Sequence, residues 1–291
     1  MNDSSLVDAY LTHLAAERGL SAHTVSNYAR DVRLLLARID GTTFAELRAH
    51  DIRRIIATLH AQGLSGKSLA RTLSAWRGLF HYLGKRHDYT HNPCEGLRAP
   101  KYARTLPRSL SVEQVTHLLD APDDTPLAVR DNAIFELFYS SGLRLSELAT
   151  LKLGQMDLTH GEISVTGKGN KSRLVPLGKQ ASIAMQRWLA QRSDTGDYVF
   201  PGRNGGHLTQ RAIELRLKHR ADRIGLDAKV HPHVLRHAFA SHLLQSSGDL
   251  RAVQELLGHA SISTTQIYTQ LDFQHLAATY DLAHPRAKKK P

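Results

Sequence analysis

Cysteine is almost missing from this chain of 291 residues, in which Cys94 stands alone. That excludes a disulfide framework and a cysteine-built metal site, and it fits a reducing compartment. No apolar run is long enough to cross a bilayer. The opening stretch MNDSSLVDAYLTHLAAERGL lacks the basic segment and apolar core of a secretion signal. A cytoplasmic location without membrane insertion is therefore expected. HExxH and GxxxxGK[ST] are both absent, which removes the zinc-protease helix and the P-loop. There is no internal repeat, and no low-complexity tract apart from the short basic end PRAKKKP.

Positive charge is what the chain has in excess. Its 38 Lys and Arg outnumber 27 Asp and Glu, for a formal net charge of +11. Both signs run along the whole length, which describes a basic globular body rather than a basic tail on a neutral one. Such a surface attracts polyanions, because each neutralised phosphate releases condensed counterions. Charge alone leaves ribosomal, RNA-binding and DNA-binding roles open, and 18 His residues raise a metal question.

The first hundred residues show helical periodicity only. After Ser21, residues Val25, Tyr28, Val32, Leu35 and Ile39 recur at steps of three and four. Leu69, Leu73, Trp76, Phe80 and Leu83 repeat the pattern, with Arg71 and Arg77 elsewhere on that helix. Ser21 and either Ser65 or Ser68 suit N-caps, and Gly19, Gly41, Gly63 and Gly84 suit helix stops. A bundle of four or five helices is expected over residues 1–98. APKYARTLPRSLS then breaks the period with Pro100 and Pro107 and carries Lys101, Arg104 and Arg108. It predicts a basic linker at 99–109, ahead of a second domain at 110–291.

In that second domain Ser111 and Gln114 resemble a capping box, and an apolar helix is expected from about Ala128 to Ser140. EISVTGKGNKSRLVPL changes the period to two, predicting a β-hairpin with Lys168 at its turn. Helical patterns return and continue to about His284. The expected class is mainly α with a small β-sheet.

Four stretches collect groups suited to phosphate chemistry. SGLRLSELATL places Arg144 at a helix start, where it could meet a phosphate together with free backbone N–H groups. A single arginine there is commonly a solvated surface residue. GKGNK brings Lys168 and Lys171 to a turn, which is equally readable as a charged exposed hairpin. HPHVLRHAFASHLL spaces His233, Arg236 and His237 so that they share one side of a helix. His233 and His237 have zinc spacing, but Arg236 beside them would repel a metal, so packing or capping suits His237 better. LLGHASISTTQIYTQL holds His259 and Tyr268, and a tyrosine at helical spacing is ordinarily core.

Together the four make one chemistry. Two guanidiniums, Arg144 and Arg236, can hold the charge of a pentacoordinate phosphate without a metal. The Tyr268 phenol, with an ordinary pKa of about 10, can pass its proton to neutral His233. Lys168 can protonate the departing 5′ oxygen, and His259 can hydrogen-bond the phosphate. A tyrosyl phosphoester conserves the bond energy, so a second hydroxyl can reverse the step without ATP.

GLRLSEL, GKGNKSRLVPLG, HPHVLRHAFASHLL and LLGHASISTTQIYT, in that order, resemble the tyrosine recombinase (phage integrase) family over essentially the whole chain. SSGDLRAVQELLGH and LDFQHLAATYDLAHPRAK are most similar to its XerC branch, bacterial recombinases that resolve chromosome dimers. The resemblance implies a SAM-like all-α core-binding domain and a mixed α+β catalytic domain that close on double-stranded DNA. It aligns Arg144, Lys168, His233, Arg236, His259 and Tyr268 with the family's active site, with no cofactor and no metal. It also implies a heterotetramer with a XerD-like paralogue on a dif-type site, regulated by an FtsK-type translocase. A C-terminal segment from about Leu271, with Leu276, Tyr280 and Leu282, is implied to contact a neighbouring protomer. Competing readings are a mobile-element integrase, a type IB topoisomerase, a non-enzymatic architectural DNA-binding protein and a His-metal phosphoesterase.

Overall fold

The structure, a computed structural model, describes residues 2–39, 41–101, 109–120, 125–166, 172–203, 205–226, 230–258 and 270–287. The chain divides into two compact units, Met1–Thr105 and Leu106–Pro291. Most of the expected linker, residues 102–108, lies outside the described residues.

The first unit holds four helices among the described residues: α1 (Asp3–Ala16), α2 (Ala22–Leu36), α3 (Ala49–Ala61) and α4 (Gly66–Arg86). Ser21 caps α2 by accepting from the Thr24 N–H at 3.3 Å, and Ser65, rather than Ser68, caps α4. Val32, Leu35, Ile39, Leu69, Leu73, Trp76, Phe80 and Leu83 are buried in one core, with Val25 and Tyr28 partly buried against it. Gly84 is not a stop, because α4 continues through it to Arg86. The two arginines off the apolar stripe are bound internally. Arg71 pairs with buried Asp31, which also accepts from Thr72 at 3.1 Å, and Arg77 donates to the carbonyl of Leu97 at 2.9 Å.

The second unit carries α5 (Val112–Leu119), α6 (Pro126–Ser141), α7 (Leu145–Ala149), α8 (Lys179–Gln191), α9 (Gln210–Arg223), α10 (Pro232–Ser247), α11 (Leu250–Leu257) and α12 (Gln270–Ala283). Its sheet has strand order β1 (Met156–Asp157), β2 (Glu162–Thr166), β3 (Ser172–Pro176), antiparallel throughout. Ser111 and Gln114 form the expected reciprocal capping box, at 2.9 and 3.2 Å. The expected hairpin is present as β2 and β3, with Thr166 opposite Ser172. The two-residue strand β1 carries no period long enough to read from sequence.

Helix α6 is the centre of this unit, packing against α8, α9 and α10. It is buried on nearly every side, so its polar residues need internal partners. Asp131 pairs with Arg130 and Arg216, Ser140 hydrogen-bonds the Tyr280 hydroxyl at 2.6 Å, and Glu136 pairs with Arg286. Arg286 also reaches Asp120 at 2.9 Å. These bonds fasten the end of the chain to its own unit. Leu276 and Tyr280, expected on a neighbouring protomer, are instead buried in this core, and only Leu282, 79% exposed, faces outward. The basic end is therefore docked through Arg286 and Ala287; residues 288–291 lie outside the described residues.

His284 lies inside this lock, stacked on Tyr280 with ring centroids 4.7 Å apart. Burial pushes its pKa down to about 3. Between that value and the unfolded pKa of about 6.5 the unfolded chain binds the extra proton, so stability falls on acidification. In urea melts the wild type should lose about 2 kcal/mol more than His284→Phe between pH 6.5 and pH 5. Equal losses would show that the folded imidazole takes up its proton as readily as the unfolded one.

Candidate active site

The site is built around the C-terminal end of α11, which stops at Gly258 with φ +62°. The last carbonyls of a helix have no partner inside it and carry the negative end of its dipole. Here three arginines serve three consecutive carbonyls. Arg173 donates from Nε to Leu256 at 3.2 Å, Arg236 to Leu257 at 2.6 Å, and Arg144 to Gly258 at 2.7 Å. Each comes from a different element: β3, α10 and the residue before α7.

A single carboxylate joins two of them. Glu147 accepts from the Arg144 side chain at 2.8 Å and from Arg173 at 2.9 and 3.0 Å. It also accepts from the Arg144 backbone N–H at 2.8 Å. That N–H is thus already taken, so Arg144 offers a ligand its side chain and not its own backbone donor. Burial alone would raise the Glu147 pKa, but the hydrogen bonds from Arg173 and Arg144 hold it at about 2. The carboxylate is ionised at any ordinary pH.

Arg236 closes the group by donating to the carbonyl of Gly142 as well as to Leu257. Burial, with Arg144 adding repulsion, lowers its pKa to about 10, so it remains charged near neutrality. Arg144, Arg173 and Arg236 face one carboxylate, which leaves an excess of positive charge in a part-buried place. An anion would relieve it.

Of the six expected residues, Arg144 and Arg236 are brought together on neighbouring carbonyls. His233 lies one turn before Arg236 at the start of α10 and is exposed. His237 is also exposed, so the packing role expected for it does not hold. Lys168, His259 and Tyr268 lie outside the described residues. Among the described residues no group of three or more His, Cys, Asp or Glu could hold a metal ion. Glu147 and Arg173 were missed. The signals for them are the three-residue step from Arg144 to Glu147 and the inward register of Arg173 with Val175 in β3.

Comparison with known proteins gives the arrangement a context. A model of the phage integrase family matches residues 108–275, and one of the phage integrase N-terminal SAM-like domain matches residues 7–87. Tyrosine recombinase XerC of Xylella fastidiosa is 52% identical over 291 residues, covering 99% of each chain. XerC of Pseudomonas aeruginosa is 54% identical over 291 residues, covering 98% of this chain and 96% of its own. In fold the chain is similar to the XerH recombinase bound to a palindromic difH substrate in a post-cleavage complex. The TM-score is 0.73 at 23% identity, over 97% of this chain and 84% of the other. It is similar also to a lambda integrase dimer bound to a COC′ core site, with TM-score 0.73 at 18% identity over 100% and 80% of the chains.

Gly142 tests the construction. Its φ of +55° is left-handed, and a Cβ there would run into the Phe239 ring. Gly142→Ala should cost at least about 2 kcal/mol in urea melts, from backbone strain and displacement of that ring. A loss under about 0.5 kcal/mol, the range of an inert surface change, would contradict the close approach.

Proposed function

Since the chain belongs to the phage integrase family, as a site-specific tyrosine recombinase most like XerC, we propose that it cuts and rejoins double-stranded DNA through a 3′-phosphotyrosyl bond to Tyr268. The observation that carries this reading is the arginine group at the end of α11, where three guanidiniums meet three consecutive carbonyls and one carboxylate pairs with two of them.

Attack by the Tyr268 oxygen on phosphorus forms the tyrosyl ester and expels the 5′ oxygen of the DNA. Arg144 and Arg236 hold the non-bridging oxygens as charge builds on them. His233, exposed at the start of α10, takes the phenol proton. Lys168 returns a proton to the leaving oxygen, and His259 hydrogen-bonds the phosphate. A second 5′ hydroxyl then reverses the reaction, and the conserved ester makes ATP unnecessary. The guanidiniums supply the electrophilic help for which other phosphoryl-transfer enzymes recruit a metal.

A finer assignment extends the same proposal, and the likeness to XerC proteins supports it. The DNA is a dif-type site, the partner a XerD-like paralogue in a heterotetramer, and the regulator an FtsK-type translocase. The task is resolution of chromosome and plasmid dimers at cell division. No helix among the described residues is long and apolar enough to cross a membrane, and we place the protein in the cytoplasm.

The reading is tested with a nicked duplex carrying the candidate site, incubated in EDTA and run on a denaturing gel. A 3′-linked protein–DNA band should form with the wild type and vanish in Tyr268→Phe, while DNA binding persists. No band on any such site, or a band that survives Tyr268→Phe, overturns the assignment. In the same assay Arg236→Ala should slow adduct formation about 100-fold or more with DNA affinity little changed. Equal losses in both would mean that Arg236 only anchors the DNA.

A further inference from the structure

Arg173 is the one member of the arginine group for which the proposed chemistry has no direct use, and it is the most deeply placed. Strand alternation puts it on the inward face of β3 with Val175, and its side chain is 6% exposed. A buried guanidinium is costly unless every donor is matched. Arg173 matches three of its five donors, with a two-pronged bond to both Glu147 oxygens and a third bond from Nε to Leu256. A planar fork with an extra N–H on its stem makes all three at once, whereas a lysine ammonium is a single point.

The placement joins three of the four stretches identified in the sequence. Glu147, fixed by Arg173, holds both the backbone and the guanidinium of Arg144. The Arg173 stem lies under Gly258, where an added Cβ would come within 3.1 Å of its Cδ and Nε. Gly258 is the residue before His259. In the strand register Arg173 pairs with Val165, one step from the Thr166–Ser172 pair that flanks the segment containing Lys168.

Resting on the recombinase reading above, we propose that Arg173 is a positioning residue: through Glu147 and the end of α11 it presents the Arg144 guanidinium to the scissile phosphate. It touches no reacting atom. Its effect on strand cleavage passes through Arg144, and Glu147 is the relay.

The test is single-turnover adduct formation on the nicked duplex, well below the melting temperature of every variant, with DNA affinity measured in parallel. Arg173→Met should lower the cleavage rate about 100-fold with affinity within about threefold of wild type. Arg173→Lys, which keeps the charge but loses the fork, should still be slowed about tenfold. Arg173→Met combined with Glu147→Gln should be no slower than the worse of the two single variants, since both remove the same support from Arg144. If Arg173→Met does not fold, Arg173→Lys alone and combined with Glu147→Gln carries the same comparison. Cleavage within threefold of wild type in the folded Arg173 variants overturns the proposal. So do equal losses of rate and affinity, or multiplying losses in the double variant. Failure of the wild type itself to form an adduct overturns instead the recombinase reading, and this inference with it.

Discussion

The carbonyls at the end of α11 cannot be satisfied within their own helix, and what satisfies them organises the catalytic unit. Leu256, Leu257 and Gly258 receive Arg173, Arg236 and Arg144 in turn. Carbonyl oxygens orient a guanidinium without cancelling its charge, unlike the carboxylates that ordinarily pair with buried arginines. Among the described residues Glu147 is the single counter-charge, and it is spent on Arg173 and Arg144. Among the described residues Arg236 is held by backbone oxygens, those of Gly142 and Leu257. Its lowered pKa, caused by burial and then by Arg144, is the electrostatic mark of that choice.

Such an arrangement needs elements that cannot shift against one another. The apolar core supplies that by packing α6 against α8, α9 and α10, and α10 against α11 and α12. Polar bonds then select one register. Tyr139 and His242 link α6 to α10 at 2.9 Å, and His242 reaches on to the Leu110 carbonyl at 2.9 Å. Arg286, paired with Glu136 and Asp120, closes the unit from the far end of the chain. Buried ion pairs of this kind add little net stability compared with apolar contacts of the same volume, but a misplaced element leaves charges unpaired.

Local rules made much of this legible in the sequence. The period of the apolar residues, the caps at Ser21 and Ser111, and the change to a two-residue period at EISV each reflect interactions within a few residues, which sequence displays directly. Gly84 misled because glycine inside a long amphipathic helix is tolerated when the packing on both sides is good. Long-range partners were not visible. Arg286 reads as part of a basic tail, and its partner Glu136 lies 150 residues away. Arg173 reads as a charge on a hairpin strand until the inward register of β3 is known. Arg144 and Arg236 could be singled out in the sequence because the motifs around them are specific. Their common seat on α11 was not, since backbone carbonyls leave no trace in a residue pattern.

The seat also explains why charge is held in surplus. Arg144, Arg173 and Arg236 carry three positive charges and Glu147 one negative, so the group holds a net charge of two positive units. A phosphodiester in the ground state carries about one negative charge, and in-line attack by a phenolate adds a second on the oxygens at phosphorus. On the proposed chemistry the site would therefore gain more from the transition state than from the bound substrate, which is the condition for acceleration rather than tighter binding alone. Because the guanidiniums are fixed by the fold before DNA arrives, little reorganisation is left for the moment of reaction. A carboxylate on Arg236 would have stabilised the empty protein and removed that difference. Two backbone carbonyls orient its guanidinium and, on the proposed chemistry, leave its charge and its remaining N–H donors for the phosphate.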